Sequence, residues 1–180
     1  VMATILGLFP PQGFNVLLSV NDVEAAMKRH LTPDKYERSQ KRLGIDAARF
    51  RNDDALGIAI GNFANEPSAL YVSQRDSVIF ADEAITEGVG PASLSRMKFG
   101  LFFFDFDLDG RLDVLTANGH IEEEITKVQA SQQYRQPAQL FWNSGSTRGF
   151  RFVPVPPEKC GADLFKPIVG RGSAFADIDG

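Results

Sequence analysis

Apolar positions along most of the chain fall in short, strand-length runs separated by turn residues. Phe102-Phe103-Phe104 and Val114-Leu115 are two such runs, and a polar, acidic loop lies between them. Leu140-Phe141-Trp142 and Phe150-Arg151-Phe152-Val153 are two more, joined through Asn143-Ser144-Gly145, a hairpin signal. The pattern predicts a strand, an acidic loop, a second strand, and then two further turn-separated strands. The first 43 residues read differently. Phe14 to Val20 suits a strand, Asn21-Asp22 suits the cap of a helix reaching Leu31, and Thr32-Pro33-Asp34 opens a second helix to about Leu43.

The strand pattern repeats. Gly100 to Asn118 aligns without gaps on Gly44 to Asn62, with identities at Gly44/Gly100, Phe50/Phe106, Asp53/Asp109, Leu56/Leu112 and Asn62/Asn118. A third copy starts at Gly172-Ser173-Ala174-Phe175-Ala176-Asp177. Leu70-Tyr71 and Leu140-Phe141 recur at matching offsets, and Phe80 is expected to correspond to Phe150. The starts lie 56 and then 72 residues apart, mainly because of an insertion between Asn118 and Leu140. That insertion is expected to be a short surface helix within about 121–136, with Glu122, Glu123 and Glu124 as an acidic first turn.

About four strands per unit of this length is the grammar of a β-propeller blade. The expected fold class is therefore all-β, a partial β-propeller of four-stranded antiparallel blades with a small helical N-terminal segment. Its parts are an extension or insertion at 1–43, a first blade at 44–99, a second at 100–171, and the start of a third at 172–180. The chain is read as a piece of a longer protein. Phe99, Phe102, Phe103 and Phe104 are assigned to packing between blades.

Composition narrows the chemistry. A net charge of −4, with 19 basic and 23 acidic residues and no basic run, rules out a strong electrostatic claim on nucleic acid. No stretch reaches the roughly 18 apolar residues of a membrane span, and the apolar run Met2 to Phe9 has no basic segment before it. The single Cys160 forms no internal disulfide.

Asp105, Asp107, Asp109 and Asp113 stand at positions 1, 3, 5 and 9 of an Asp-x-Asp-x-Asp-Gly-x-x-Asp loop. Ca²⁺ takes six to eight oxygen ligands, and carboxylates at alternate loop positions can converge on one ion. Gly110 permits the sharp turn, and Arg111 is expected to supply a backbone carbonyl. An EF-hand would need Glu at position 12, where this chain has Thr116, and helices where it has strand-like runs. In the first copy Arg49, Arg51 and Gly57 replace three of the aspartates. That loop is expected not to bind calcium, with Arg49 or Arg51 paired to Asp53 or Asp54 in place of the metal. Asp177 and Asp179 open the third loop and are expected as metal ligands there. His120 reads as a turn residue, and Trp142 as a hairpin residue packed on the neighbouring blade rather than a sugar-stacking platform. No nucleophile elbow, phosphate loop or zinc spacing is present.

The motif from Gly100 to Asp113 resembles the FG-GAP/VCBS repeat, also found in the calcium-binding blades of integrin α subunits. Together with Ala117-Asn118-Gly119-His120-Ile121, Leu140-Phe141-Trp142-Asn143 and Gly170 to Asp177, it is similar to bacterial proteins that carry a VCBS propeller and an ASPIC/UnbV domain, of the cartilage acidic protein type. The resemblance covers about three-quarters of the chain. It implies an extracellular, cell-surface or periplasmic propeller with calcium in its loops and no catalysis of its own. The partners it implies are the rest of the same propeller and glycan or surface-protein ligands. The alternative is the accessory, substrate-binding part of an extracellular enzyme acting on polysaccharide.

Overall fold

Alternate residues of a strand face opposite sides of its sheet, and here both sides carry apolar side chains. The computed structural model describes residues 44–74, 79–146 and 149–175. The helices expected within 1–43, and Asp177 and Asp179, lie outside the described residues. Strands β1 (Ile45–Ala48), β2 (Gly57–Ile60), β3 (Ala69–Ser73) and β4 (Phe80–Asp82) form a four-stranded antiparallel sheet in chain order. Strands β5 (Lys98–Phe104), β6 (Asp113–Asn118), β7 (Gln139–Asn143) and β8 (Phe152–Pro154) form a second sheet of the same order and sense. The described protein is thus mostly β. Its helices are single turns: α1 (Ala84–Glu87) and α2 (Val89–Ser93) between the sheets, α3 (Ile125–Val128) between β6 and β7, and α4 (Pro157–Cys160) after β8.

The sheets share one core. Ala59, Leu70, Val72 and the loop residue Phe50 meet Leu101, Phe103, Val114, Phe141 and Phe152, with Ala84 and Val89 of the connecting helices closing the side. Each large side chain buried there contributes about 1.5–3 kcal/mol. Phe50 stacks on Phe103 at 5.8 Å between ring centres and tilts against Phe152 at 5.4 Å. The phenylalanine run of β5 divides by strand alternation. Leu101 and Phe103 face the first sheet, whereas Phe102 and Phe104 lie against Phe175 at 5.2 and 5.6 Å. Phe99 sits beneath the Arg171 guanidinium, 4.4 Å from its ring centre.

Residues at repeated positions make repeated contacts. The side-chain amides of Asn62 and Asn118 each donate, at 2.8 Å, to the carbonyl of a proline just before the next strand, Pro67 and Pro137. The backbone carbonyls of the same asparagines accept from the N–H groups of Lys98 and Gly170, at 3.3 and 2.9 Å. Asp46 accepts the Phe103 N–H at 2.7 Å. Its counterpart Phe102 stacks on Phe175, the counterpart of Phe103. One relation therefore links the first sheet to the second, and the second sheet to the segment 172–175.

Two expectations need correction, and two helices were not expected. Phe80 pairs with Ser73 and Phe152 with Asn143, so Phe152 rather than Phe150 corresponds to Phe80. The hairpin after β7 is longer than the one after β3, and a match made on spacing alone misses that. The insertion carries only the one-turn α3, with Glu122–Glu124 preceding it instead of forming its first turn. Buried Ile125, Gln132 and Gln136 hold it down, the last accepting the Met97 N–H at 2.9 Å. Finally, α1 and α2 answer to no predicted element: they are single turns interrupted at Gly88, too short to leave a helical period in the sequence.

Candidate metal centre

The loop between β5 and β6 folds on its own polar groups. Gly110 adopts φ +83°, which a residue with a Cβ takes up poorly. Both carboxylate oxygens of Asp105 accept backbone hydrogen bonds, from the N–H of Asp109 at 3.1 Å and of Gly110 at 2.8 Å. Asp109 accepts the Arg111 N–H at 2.9 Å. These turns bring one carboxylate oxygen from each of Asp105, Asp107 and Asp109 within 4.8 Å of one another. Among the described residues no other group of three His, Cys, Asp or Glu side chains converges in this way. Three hard, anionic oxygens held together are donors of the type a hard cation such as Ca²⁺ takes, three of its usual six to eight. The Arg111 guanidinium, paired with Asp109, offsets only part of their charge.

Asp113, expected as a fourth ligand, does not join the group. It begins β6 fully buried, and its two oxygens accept the N–H groups of Phe106 at 2.8 Å and Asn143 at 2.7 Å. Asp113 therefore braces the loop against β7. Burial pushes its carboxyl above the usual range. The two N–H bonds oppose that shift, and the charges of Asp107 and Asp109 add to it. Arg111, expected to offer only its carbonyl, also uses its side chain: Nε–H donates to the Asn143 carbonyl at 2.9 Å. His120 is buried and accepts the Glu122 N–H at Nδ1, 3.0 Å away, closing the turn after β6. Trp142, read from sequence as a packing residue, donates its indole N–H to Asp107 Oδ2 at 2.9 Å.

The loop between β1 and β2 shows what the aspartates replace. Asp53 accepts the Ala55 N–H as Asp109 accepts that of Arg111, and Asp54 takes up the left-handed φ of its counterpart Gly110. Arg49 donates to the Asp54 carbonyl, where Asp105 accepts from the Gly110 N–H. The carboxylates expected to pair with Arg51 were Asp53 or Asp54. Instead its guanidinium reaches across to Glu83 and Glu87 on the connecting segment. Glu87 also accepts from Arg151 of the second unit at 3.1 Å. Spacing along the chain could not show this, because the two glutamates lie 32 and 36 residues away.

A second exchange accompanies the first. Phe50 is buried in the core, while its counterpart Phe106 is 38% exposed. Gly57 holds the position of Asp113, and a Cβ there would stand 2.2 Å from the Phe50 ring. The first copy thus fills with a phenyl ring the space that the second gives to the Asp113 carboxylate.

No described helix is long and apolar enough to cross a membrane. Comparison with family models, with curated proteins and with solved structures finds no match for the chain.

Proposed function

We propose that this chain is a non-catalytic, calcium-binding module of a β-propeller built from FG-GAP/VCBS-type repeats. Its role is to present a surface to glycan or protein ligands outside the cytoplasm. The observation that carries this reading is the repeated unit itself. Two sheets of identical strand order are linked by a bond from the Lys98 N–H to the Asn62 carbonyl that recurs from Gly170 to Asn118, and one unit carries three converging aspartates at the end of its first hairpin. The outer face of the second sheet, with Phe102, Phe104 and Trp142, occupies the positions that the first sheet turns towards the second. In this reading that face receives the next blade, and the rest of the polypeptide completes a ring of typically four to eight.

Asp105, Asp107 and Asp109 would hold the ion, with the Arg111 carbonyl as a further oxygen donor. The ion would neutralise the loop and tie β5 to β6. Extracellular modules bind calcium at about 10⁻⁴–10⁻³ M, so such a site fills where free calcium is high. The test is thermal unfolding in 10 mM calcium and in chelator. Mass action at about 10 to 100 times Kd gives roughly 1.4–2.7 kcal/mol, or a rise of about 3–10 °C for a chain of this size. Asp107→Ala should abolish the rise. No shift in the intact protein would reduce the loop to a solvated acidic turn.

A further inference from the structure

The chain contains one tryptophan, and its indole N–H is spent on a loop carboxylate. Trp142 lies on β7, two strands from β5, so it reaches the loop from the far side of β6. Its Nε1–H donates to Oδ2 of Asp107, which leaves Oδ1 of that carboxylate for another partner. Asp107 is an exposed side chain, and the structure gives it no backbone donor of the kind that fixes Asp105 and Asp109. Trp142 is therefore the described group that restrains the Asp107 carboxylate.

The first unit supplies an internal control. The position of Trp142 is held there by Val72, which has no donor and is wholly buried in the core. The position of Asp107 is held by Arg51, which turns away to Glu83 and Glu87. A carboxylate at the third loop position occurs with an indole on the third strand, and an arginine there occurs with an aliphatic side chain.

We propose that Trp142 is a positioning residue for cation binding. It orients Asp107 so that one oxygen faces Asp105 and Asp109, and it acts only through that carboxylate. The proposal rests on the calcium reading above. Groups that hydrogen-bond to metal-ligating carboxylates typically change affinity 10–100-fold. Because Asp107 is exposed, Trp142→Phe should weaken calcium binding by about tenfold, at the low end of that range.

Two readouts separate this from a packing role. The lone indole N–H gives a single cross-peak in a ¹⁵N-labelled spectrum. That peak should move on calcium addition, and it should move without calcium in Asp107→Asn. Calcium titration by calorimetry on the wild type, Trp142→Phe, Asp107→Asn and the double variant should show that Trp142→Phe adds nothing once Asp107 is altered. Melting in chelator checks that each variant is folded. A calcium-induced rise in melting temperature with an unmoved indole peak, and a Trp142→Phe affinity within twofold of wild type, would overturn the inference and leave the calcium site standing. Absence of any calcium binding by the wild type would remove both.

Discussion

Gly57→Ala is the substitution whose effect the structure fixes most tightly, and its sign is opposite to the ordinary one. Replacing a strand glycine by alanine usually stabilises by about 0.4–1 kcal/mol, because the unfolded chain loses freedom. At Gly57 the new Cβ would lie 2.2 and 2.5 Å from two carbons of the Phe50 ring, well inside van der Waals contact. The ring has no free direction, since Phe103 stacks on it at 5.8 Å and Phe152 presses on it at 5.4 Å. A shift within the core costs about 1–3 kcal/mol. Expulsion of the ring would approach the cost of Phe50→Ala itself, about 3–5 kcal/mol.

Coupling between the two positions is the sharper quantity. In Phe50→Ala/Gly57→Ala the added methyl meets a cavity instead of a ring. The double variant should therefore be no less stable than Phe50→Ala alone. Urea unfolding, with the slope checked for constancy, should give an interaction of about 1–3 kcal/mol between the two sites. Phe106→Ala, at the equivalent but exposed position, should cost less than about 1 kcal/mol. Additivity within about 0.5 kcal/mol, or a stabilising Gly57→Ala, would refute the argument that Phe50 fills the place taken by Asp113 in the second unit.

Two further outcomes follow from charged groups between the sheets. Lys98 is buried, and its ammonium donates to the carbonyls of Glu66 and Ser93 at 2.7 and 3.0 Å. Burial pulls its pKa down to about 8, against the pull of the Glu66 charge. With the folded value below the ordinary 10.5, the unfolded chain binds more protons between pH 8 and 10.5. The wild type should therefore gain on Lys98→Met by about 1–3 kcal/mol as pH rises through that window, measured by urea unfolding at pH 7.5 and 10; a flat difference would contradict it. Glu87→Gln removes the carboxylate shared by Arg51 and Arg151, whose side chains are only 14% exposed, and should cost about 1–3 kcal/mol. That loss should persist in 0.5 M salt, unlike the effect of altering the exposed Lys127–Glu124 pair.

Four strands per unit, their antiparallel sense and the acidic turn were legible because each rests on local signals: short apolar runs, Asn-Ser-Gly at a hairpin, and alternate aspartates closing on nearby N–H groups. The illegible parts depend on separations that no window spans. Asp113 has the sequence offset of a ligand, but its backbone partner on β7, the Asn143 N–H, lies 30 residues away. Arg51 looked towards Asp53 by proximity, while the fold brought Glu83 and Glu87 to it. Phe50 and Phe106 are identical residues at identical offsets. Their fates diverge on the presence or absence of a side chain seven positions later, at Gly57 and Asp113.

The two loops also separate what shape requires from what charge requires. Both turn through a left-handed residue at the same position, Asp54 or Gly110, and both are pinned by an aspartate accepting the N–H two residues on. The first achieves this with Arg49 on a carbonyl and the second with Asp105 on an N–H, so the backbone path is compatible with either sign of charge. A cation is therefore not needed to fold the second loop. In the proposed reading its part is instead to relieve three carboxylates whose oxygens lie within 4.8 Å, of which Arg111 pairs with Asp109 alone. On this argument calcium raises the unfolding temperature without creating secondary structure. Circular dichroism in chelator should then show the sheet signal of the calcium-loaded protein, and loss of that signal on chelation would mean that the ion builds the loop rather than neutralises it.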